Sequence, residues 1–392
     1  MKKIESTSVW KGPCDSSDMG GVTQSMLGTY LVCKERFRLR YVEGLRTPER
    51  FEHKIEYGNL WHICEENWAA NQDYEAPLLA YAKSLCQKYP LQQHEIDKWY
   101  HCCLYQFPVY AKYWSKNQAQ LTPLMQEEVF KIPYTNTKEA ERTEQRNNWL
   151  KALSELFPHT ILYPDKENQT YYLRGKFDSV FIRKDSKGKE EIWLQENKTK
   201  GDIDPEAIQR QLKFDLQTML YLVALREKLK ELGKDPNSLK GVRYNVVRRP
   251  LSGGKGNIKQ LDAKGNRPAE TKQEYFTRLQ QYFIEEPDYW FMRWQVEVSL
   301  ADIENFEEKC LFPVLYNLGN DYVFWNNAKL TGNKQYHKEP RNSLHYVTPF
   351  GLYNVLAEGG ATEYDELIMN GNSVGLTRSN VLFPELNGEE NA

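Results

Sequence analysis

The 392-residue chain has no run of about 18 apolar residues, and its first thirty residues hold no continuous apolar stretch. Neither a membrane-spanning helix nor a secretory leader is expected, so the expected location is cytoplasmic. Cysteine is scarce and unpatterned: Cys14, Cys33, Cys64, Cys86, Cys102, Cys103 and Cys310 form no C-x-x-C pair. That excludes a disulfide framework and a zinc ribbon and leaves reduced, mostly buried thiols as the expectation. No G-x-x-x-x-G-K-[ST] loop is present, so any unwinding of nucleic acid would fall to a partner. There is no internal repeat and no strong excess of one charge. The 52 Lys and Arg against 54 Asp and Glu leave a formal net charge of −2, so the chain as a whole is not a basic nucleic-acid binder.

What is present describes a globular protein. Hydrophobic residues make up 40%, aromatics 13% and charged residues 27%, enough to bury a large core and compatible with two or three units or one elaborated domain. Charge is unevenly placed. Residues 358–392 carry seven acidic residues against Arg378 alone, while residues 240–272 carry nine Lys and Arg against Asp262 and Glu270.

Residues 1–21 are polar and Gly/Ser-containing and predict a flexible arm. The stretch from Ser25 to Tyr41 predicts an amphipathic helix capped by Ser25 or Thr23, and Gly58 precedes a second helix carrying Leu60, Ile63, Cys64 and Trp68 at helical spacing. A helical insertion is expected at about 66–158, where Tyr, Trp, Leu and Gln abound without strand alternation. The pattern then changes: residues 161–163, 171–185 and 189–200 predict short strands, the last two joined by a turn at Asp185 to Gly188. Residues 205–232 predict one long helix stopped by Gly233. A strand at 241–250, a Gly/Lys-rich loop, a helix, a strand and a further helix follow, and residues 351–392 form an acidic C-terminal extension.

The densest chemistry lies in Gly175-Lys176-Phe177-Asp178 and, after a turn, Glu196-Asn197-Lys198. In a strand, alternate residues share a face, so Glu196 and Lys198 project together. If the preceding strand pairs across the turn, Asp178 joins them, and two carboxylates with an ammonium suit a divalent cation and an attacking water.

These residues resemble the PD-(D/E)XK nuclease superfamily, and more closely its RecB-like exonuclease branch of CRISPR-associated and phage exonucleases. Five ordered elements carry the resemblance: Ser25, Cys33, Arg36 and Phe37 in an opening helix; Gly58 to His62; Gly175 to Asp178; Glu196 to Lys198 with Thr199 after it; and Gln217 to Tyr221. Together they span roughly residues 22–250, interrupted by the insertion. The resemblance implies an α/β fold with a mixed central β-sheet flanked by helices, the restriction-endonuclease-like core, within a domain at about 22–350. It also implies a metal-dependent DNA nuclease, an exonuclease using Mg²⁺ or Mn²⁺ to activate water, acting in recombination, repair or phage DNA processing in a bacterial or phage-infected cell. A recombinase or helicase partner fits that setting. A site-specific endonuclease and an inactive DNA-end-binding module are the alternatives on the same fold.

By the same resemblance His62, Asp178, Glu196 and the Asn197 carbonyl are the metal ligands. Lys198 acts on the water, and Gln217 and Tyr221 lie beside the scissile phosphate or DNA end. Arg36 is a phosphate contact, and the basic segment supplies Arg248, Arg249, Lys255 and Lys259 as further DNA contacts. Many RecB-like exonucleases hold an iron–sulfur cluster on one N-terminal and three C-terminal cysteines. Cys33 could supply the first, but no cysteine follows Cys310, so no cluster is expected.

Overall fold

The computed structural model describes residues 8–46, 50–135, 170–212, 215–251, 258–331, 377–379 and 381–387. Its centre is a five-stranded mixed sheet laid out in chain order: β1 (Thr122–Tyr134), β2 (Tyr171–Lys184), β3 (Glu190–Lys200), β4 (Leu239–Arg248) and β5 (Phe291–Glu297). Only β3 and β4 run parallel. The β2–β3 hairpin closes at Asp185, whose Oδ1 accepts the Lys187 and Lys189 N–H groups at 2.8 and 2.9 Å. A parallel neighbour cannot be reached by a hairpin and needs a helical crossover. Here that crossover is α5 (Pro205–Leu212) followed by α6 (Leu216–Glu231).

Two cores sandwich the sheet. On one face lies α6, capped by Asp215 accepting the Thr218 N–H and buried at every position from Thr218 to Leu225. A helix apolar all round must be covered on both sides: α6 touches the sheet on one and α1 (Gln24–Val32) and α8 (Leu300–Phe306) on another. It ends before Gly233, which at φ +67° takes the left-handed turn open to glycine. On the opposite face α2 (His53–Ala69), α3 (Glu75–Lys88), α4 (Gln93–Gln118) and α7 (Lys272–Glu285) enclose an aromatic core including Trp61, Phe107, Tyr110 and Phe276. The aromatic series of α4 is therefore largely packing. A last long helix, α9 (Phe312–Thr331), follows α8 through a π-turn.

Several expectations need correction. The opening helix does not run to Tyr41: Cys33 is extended, with φ −160° and ψ 109°, and separates α1 from a short turn, Lys34–Phe37. The helical insertion stops at Gln118, because β1 is an edge strand of the sheet. Its prolines, Pro123 and Pro133, are tolerated only at an edge, and a bulge erases the alternation that would have marked it. The expected long helix is described as two, Pro205–Leu212 and Leu216–Glu231, with Asp215 extended as the cap of the second. Residues 8–21 are not a loose arm. Trp10 is fully buried, edge-on to Phe37 and Tyr322, and its Nε1 donates to Gly21 O at 2.7 Å. In the acidic extension, Leu382 and Phe383 pack into the first core. The strand expected at 161–163 and most of that extension lie outside the described residues.

Candidate active site

The register of the β1–β2 pair, unbroken after a bulge between Pro123 and Met125, sets Glu127 opposite Asp178. Gln126 faces Ser179 and Glu128 faces Phe177, so Glu127 and Asp178 sit between paired positions. Glu127 has φ +47°, a left-handed conformation that costs a non-glycine residue of order 1 kcal/mol or more and persists where the surroundings impose it. The close packing around Gly175 supports this place from below. A Cβ there would lie 2.6 Å from Phe130 Cζ and 3.0 Å from Tyr221 Cε1.

Onto this edge the neighbouring elements deliver their side chains. Asp178 Oδ2 accepts the Asn197 backbone N–H at 2.8 Å, which ties the end of the β2–β3 pairing to the Glu196–Lys198 segment. Glu196 is completely buried. Its Oε2 accepts from Lys198 Nζ at 2.8 Å and from Gln217 Nε2 at 3.0 Å, and Gln217 Oε1 accepts from the same Lys198 at 3.0 Å. Gln217, in the first turn of α6, thus closes a three-membered ring with the acid and the lysine. Tyr221, one turn on, packs edge-on against Phe130 and Phe177. From α2, His62 reaches Glu127, with Nδ1 to Oε1 at 3.6 Å, while Lys176 Nζ meets Glu127 Oε2 at 2.7 Å.

The electrostatics follow from this crowding. Burial pushes the Glu196 carboxyl up, a shift Asp178 adds to and Lys198 opposes. Burial works against a charged Lys198, yet Glu196 and Asp178 outweigh it and hold its pKa above the ordinary value. Burial likewise opposes charge on His62, but Asp178 and Glu127 raise it to about 9. To act as a ligand the ring must give up that proton.

The residues fit a hard cation. Donor atoms of His62, Glu127 and Asp178 lie within 4.8 Å of one another, the spread expected of ligands each about 2.0–2.6 Å from one ion. Glu127 Oε1 and Glu196 Oε1 are buried without a hydrogen-bond partner. Each such orphan costs about 1–3 kcal/mol unless something meets it.

A family model for the PD-(D/E)XK nuclease superfamily matches residues 22–308. The chain belongs to that superfamily. It is a nuclease by family, the five-stranded mixed sheet is the restriction-endonuclease-like core, and nucleases of this superfamily use divalent metals. No individual curated protein matches the chain.

Against this PD-(D/E)XK frame, the structure gathers His62, Asp178, Glu196, Lys198, Gln217 and Tyr221. Asn197 takes part through its backbone, its side chain turning to the other face to accept from Gln195 at 2.9 Å and Asn245 at 3.0 Å. The expected basic contacts fare differently. Arg248 and Arg249 are each only 6% exposed. Arg248 stacks over Tyr289 at 4.1 Å and donates to the Tyr289 and Gly201 carbonyls, so it is a structural clamp, contrary to the expected role as an outward phosphate contact. Arg36 is half-buried on the Lys34–Phe37 turn and Lys259 is exposed. Lys255 lies outside the described residues. Glu127 is the residue sequence reasoning missed. Its only sequence signal was a Glu127-Glu128 pair in a stretch read as helical, and Glu128 merely pairs with Lys228 at 3.4 Å.

Proposed function

We propose that this chain is a divalent-cation-dependent deoxyribonuclease acting as an exonuclease. The observation that carries the reading is the meeting of His62, Glu127 and Asp178 beside Glu196, with two buried carboxylate oxygens that accept no hydrogen bond. A bound Mg²⁺ or Mn²⁺ would lower the pKa of a water and neutralise charge on the phosphoryl oxygens. His62, Glu127, Asp178 and Glu196 would hold it, with the Asn197 carbonyl as a further ligand. Lys198, held by Glu196 and Gln217, is placed to orient the attacking water and to stabilise negative charge. Gln217 fixes the Lys198 and Glu196 side chains in one geometry, and Tyr221 walls the site. The Gly58–His62 and Gln217–Tyr221 elements support the exonuclease mode. No iron–sulfur cluster is proposed, since no cysteine follows Cys310; the purified protein should be colourless.

Linear and covalently closed circular DNA, incubated with Mg²⁺ or Mn²⁺ and with EDTA, test the reading. Linear DNA is expected to be degraded from its ends, circular DNA spared, and both left intact in EDTA or with Glu196→Gln or Asp178→Asn. Equal cutting of circles would overturn the exonuclease mode, and cutting in EDTA would overturn the cation-dependent site.

A further inference from the structure

A cavity of about 670 Å³ opens at the far end of the sheet, on the face covered by α4. Arg183, Arg243 and Arg293 line it from three strands, beside Trp114, Asn117 and Gln120 at the end of α4. Arg183 is five residues from Asp178 along β2, roughly 16 Å at the strand rise, so the cavity is separate from the carboxylate cluster.

The arginines differ in how they are neutralised. Arg183 pairs with Glu191 at 2.8 Å. Arg243 is 4% exposed, stacks over Phe181 at 4.0 Å, and donates Nε and Nη2 to the neutral Gln195 Oε1. Arg293 lies over Trp114 at 4.0 Å and donates to Asn245 Oδ1 at 3.0 Å and Tyr110 Oη at 3.3 Å, both neutral, while its Nη1 is buried without a partner. Among the described residues neither of the last two meets a carboxylate. Glu65, the buried acid whose field reaches both, accepts from Trp61 and Asn245 instead. Burial and the charge of Arg293 push the Arg243 pKa down, and Tyr110 and Glu65 offset them only in part. Four basic side chains, with Lys184, face two acidic ones, Asp185 and Glu191. Buried charge is tolerated where it is paired or serves a ligand.

We propose that this cavity binds a phosphate group, free or carried by a molecule of nucleotide size. Planar guanidinium forks match phosphate oxygens two at a time. The volume falls in the range of small-molecule sites, and the amides of Asn117 and Gln120 add hydrogen-bonding groups for the remainder of the ligand. The inference does not rest on the nuclease reading, because binding is measured with cation-dependent chemistry switched off.

The full chain is titrated in EDTA, at constant ionic strength, with inorganic phosphate, with dAMP and with a 5′-phosphorylated dinucleotide, followed by calorimetry and tryptophan emission. Saturable binding of one equivalent is expected. It should weaken about tenfold or more in Arg293→Gln, the factor one lost charge-assisted hydrogen bond is worth, and stay unchanged in Glu196→Gln. Equal affinity for phosphate and dAMP assigns recognition to phosphate alone, and tighter dAMP extends the site to the nucleoside. Because Arg243 is so buried, its variant is replaced by a measurement on the wild type: phosphate should raise the melting temperature over matched chloride. Absence of saturable binding at millimolar ligand, or binding kept in Arg293→Gln and lost in Glu196→Gln, overturns the proposal.

Discussion

Lys198 and Gln217 act together, because each meets both the other and Glu196. Gln217→Leu keeps every cation ligand in the chain but removes the amide that holds the Lys198 and Glu196 side chains in place. Gln217→Leu is therefore expected to lower kcat about a hundredfold, the order that a misplacement of ~1 Å costs, with little change in KM. Steady-state kinetics on linear DNA checks this, and a rise in KM alone would mean Gln217 serves binding. Glu127 makes the opposite prediction. It meets His62 and Lys176 and is grouped with Asp178, so Glu127→Gln should weaken Mn²⁺ binding at least about tenfold while the fold persists. Mn²⁺ titration followed by electron paramagnetic resonance measures it, and undiminished affinity would remove Glu127 from the ligand set.

Among the elements, residues 258–271, which lead into α7, are held by a clamp. Arg278 donates Nε and Nη2 to the two oxygens of Glu270 at 2.7 and 2.8 Å, and Glu270 also accepts the Leu261 N–H at 3.0 Å. The Arg278 guanidinium holds the Glu270 carboxyl down to about 2, below its ordinary value near ~4.3. A depressed carboxylate stabilises above its unfolded pKa, so the clamp should be complete above pH ~4.3 and be lost as pH falls through about 2. Arg278→Met should reproduce the open state at neutral pH. Amide-exchange protection at Leu261 is the readout: it should collapse in the variant at pH 7 and be retained in the wild type. Lys259, whose carbonyl accepts from Arg278, is presented on this clamped segment, whereas Arg248 is used up inside.

At the scale of the molecule, residues 8–21 and 381–387 both contribute to the first core and reach the strand that carries Asp178, where Tyr172 N–H donates to Pro13 O at 2.9 Å and Arg174 lies over Phe383. Trp10 is wholly buried among Phe37 and Tyr322, and Phe383 stacks on Tyr41. Trp10→Ala should cost about 3–5 kcal/mol, as for other buried aromatic truncations. Urea unfolding should show it as a lower midpoint with an unchanged slope. A loss under ~1 kcal/mol would make the N-terminal segment an appendage after all. No helix among the described residues is long and apolar enough to cross a membrane.

The order of motifs from Gly58 to Tyr221 was readable because the site draws on short local patterns. Strand alternation put Glu196 and Lys198 on one face, and helical spacing put Gln217 and Tyr221 one turn apart. Three things came only with tertiary structure. Glu127 entered because a bulge and a left-handed residue at a sheet edge have no local periodicity to announce them. Arg248 and Arg249 left the list of outward contacts because a charge count in sequence cannot tell a solvated lysine from an arginine stacked over Tyr289. The arginine cavity arose from β2, β4 and β5, whose residues lie far apart in the chain and meet only when a parallel crossover and an antiparallel edge bring them to one end of the sheet. Local pattern decides which residues can share a face, and only the pairing of distant strands decides which faces meet.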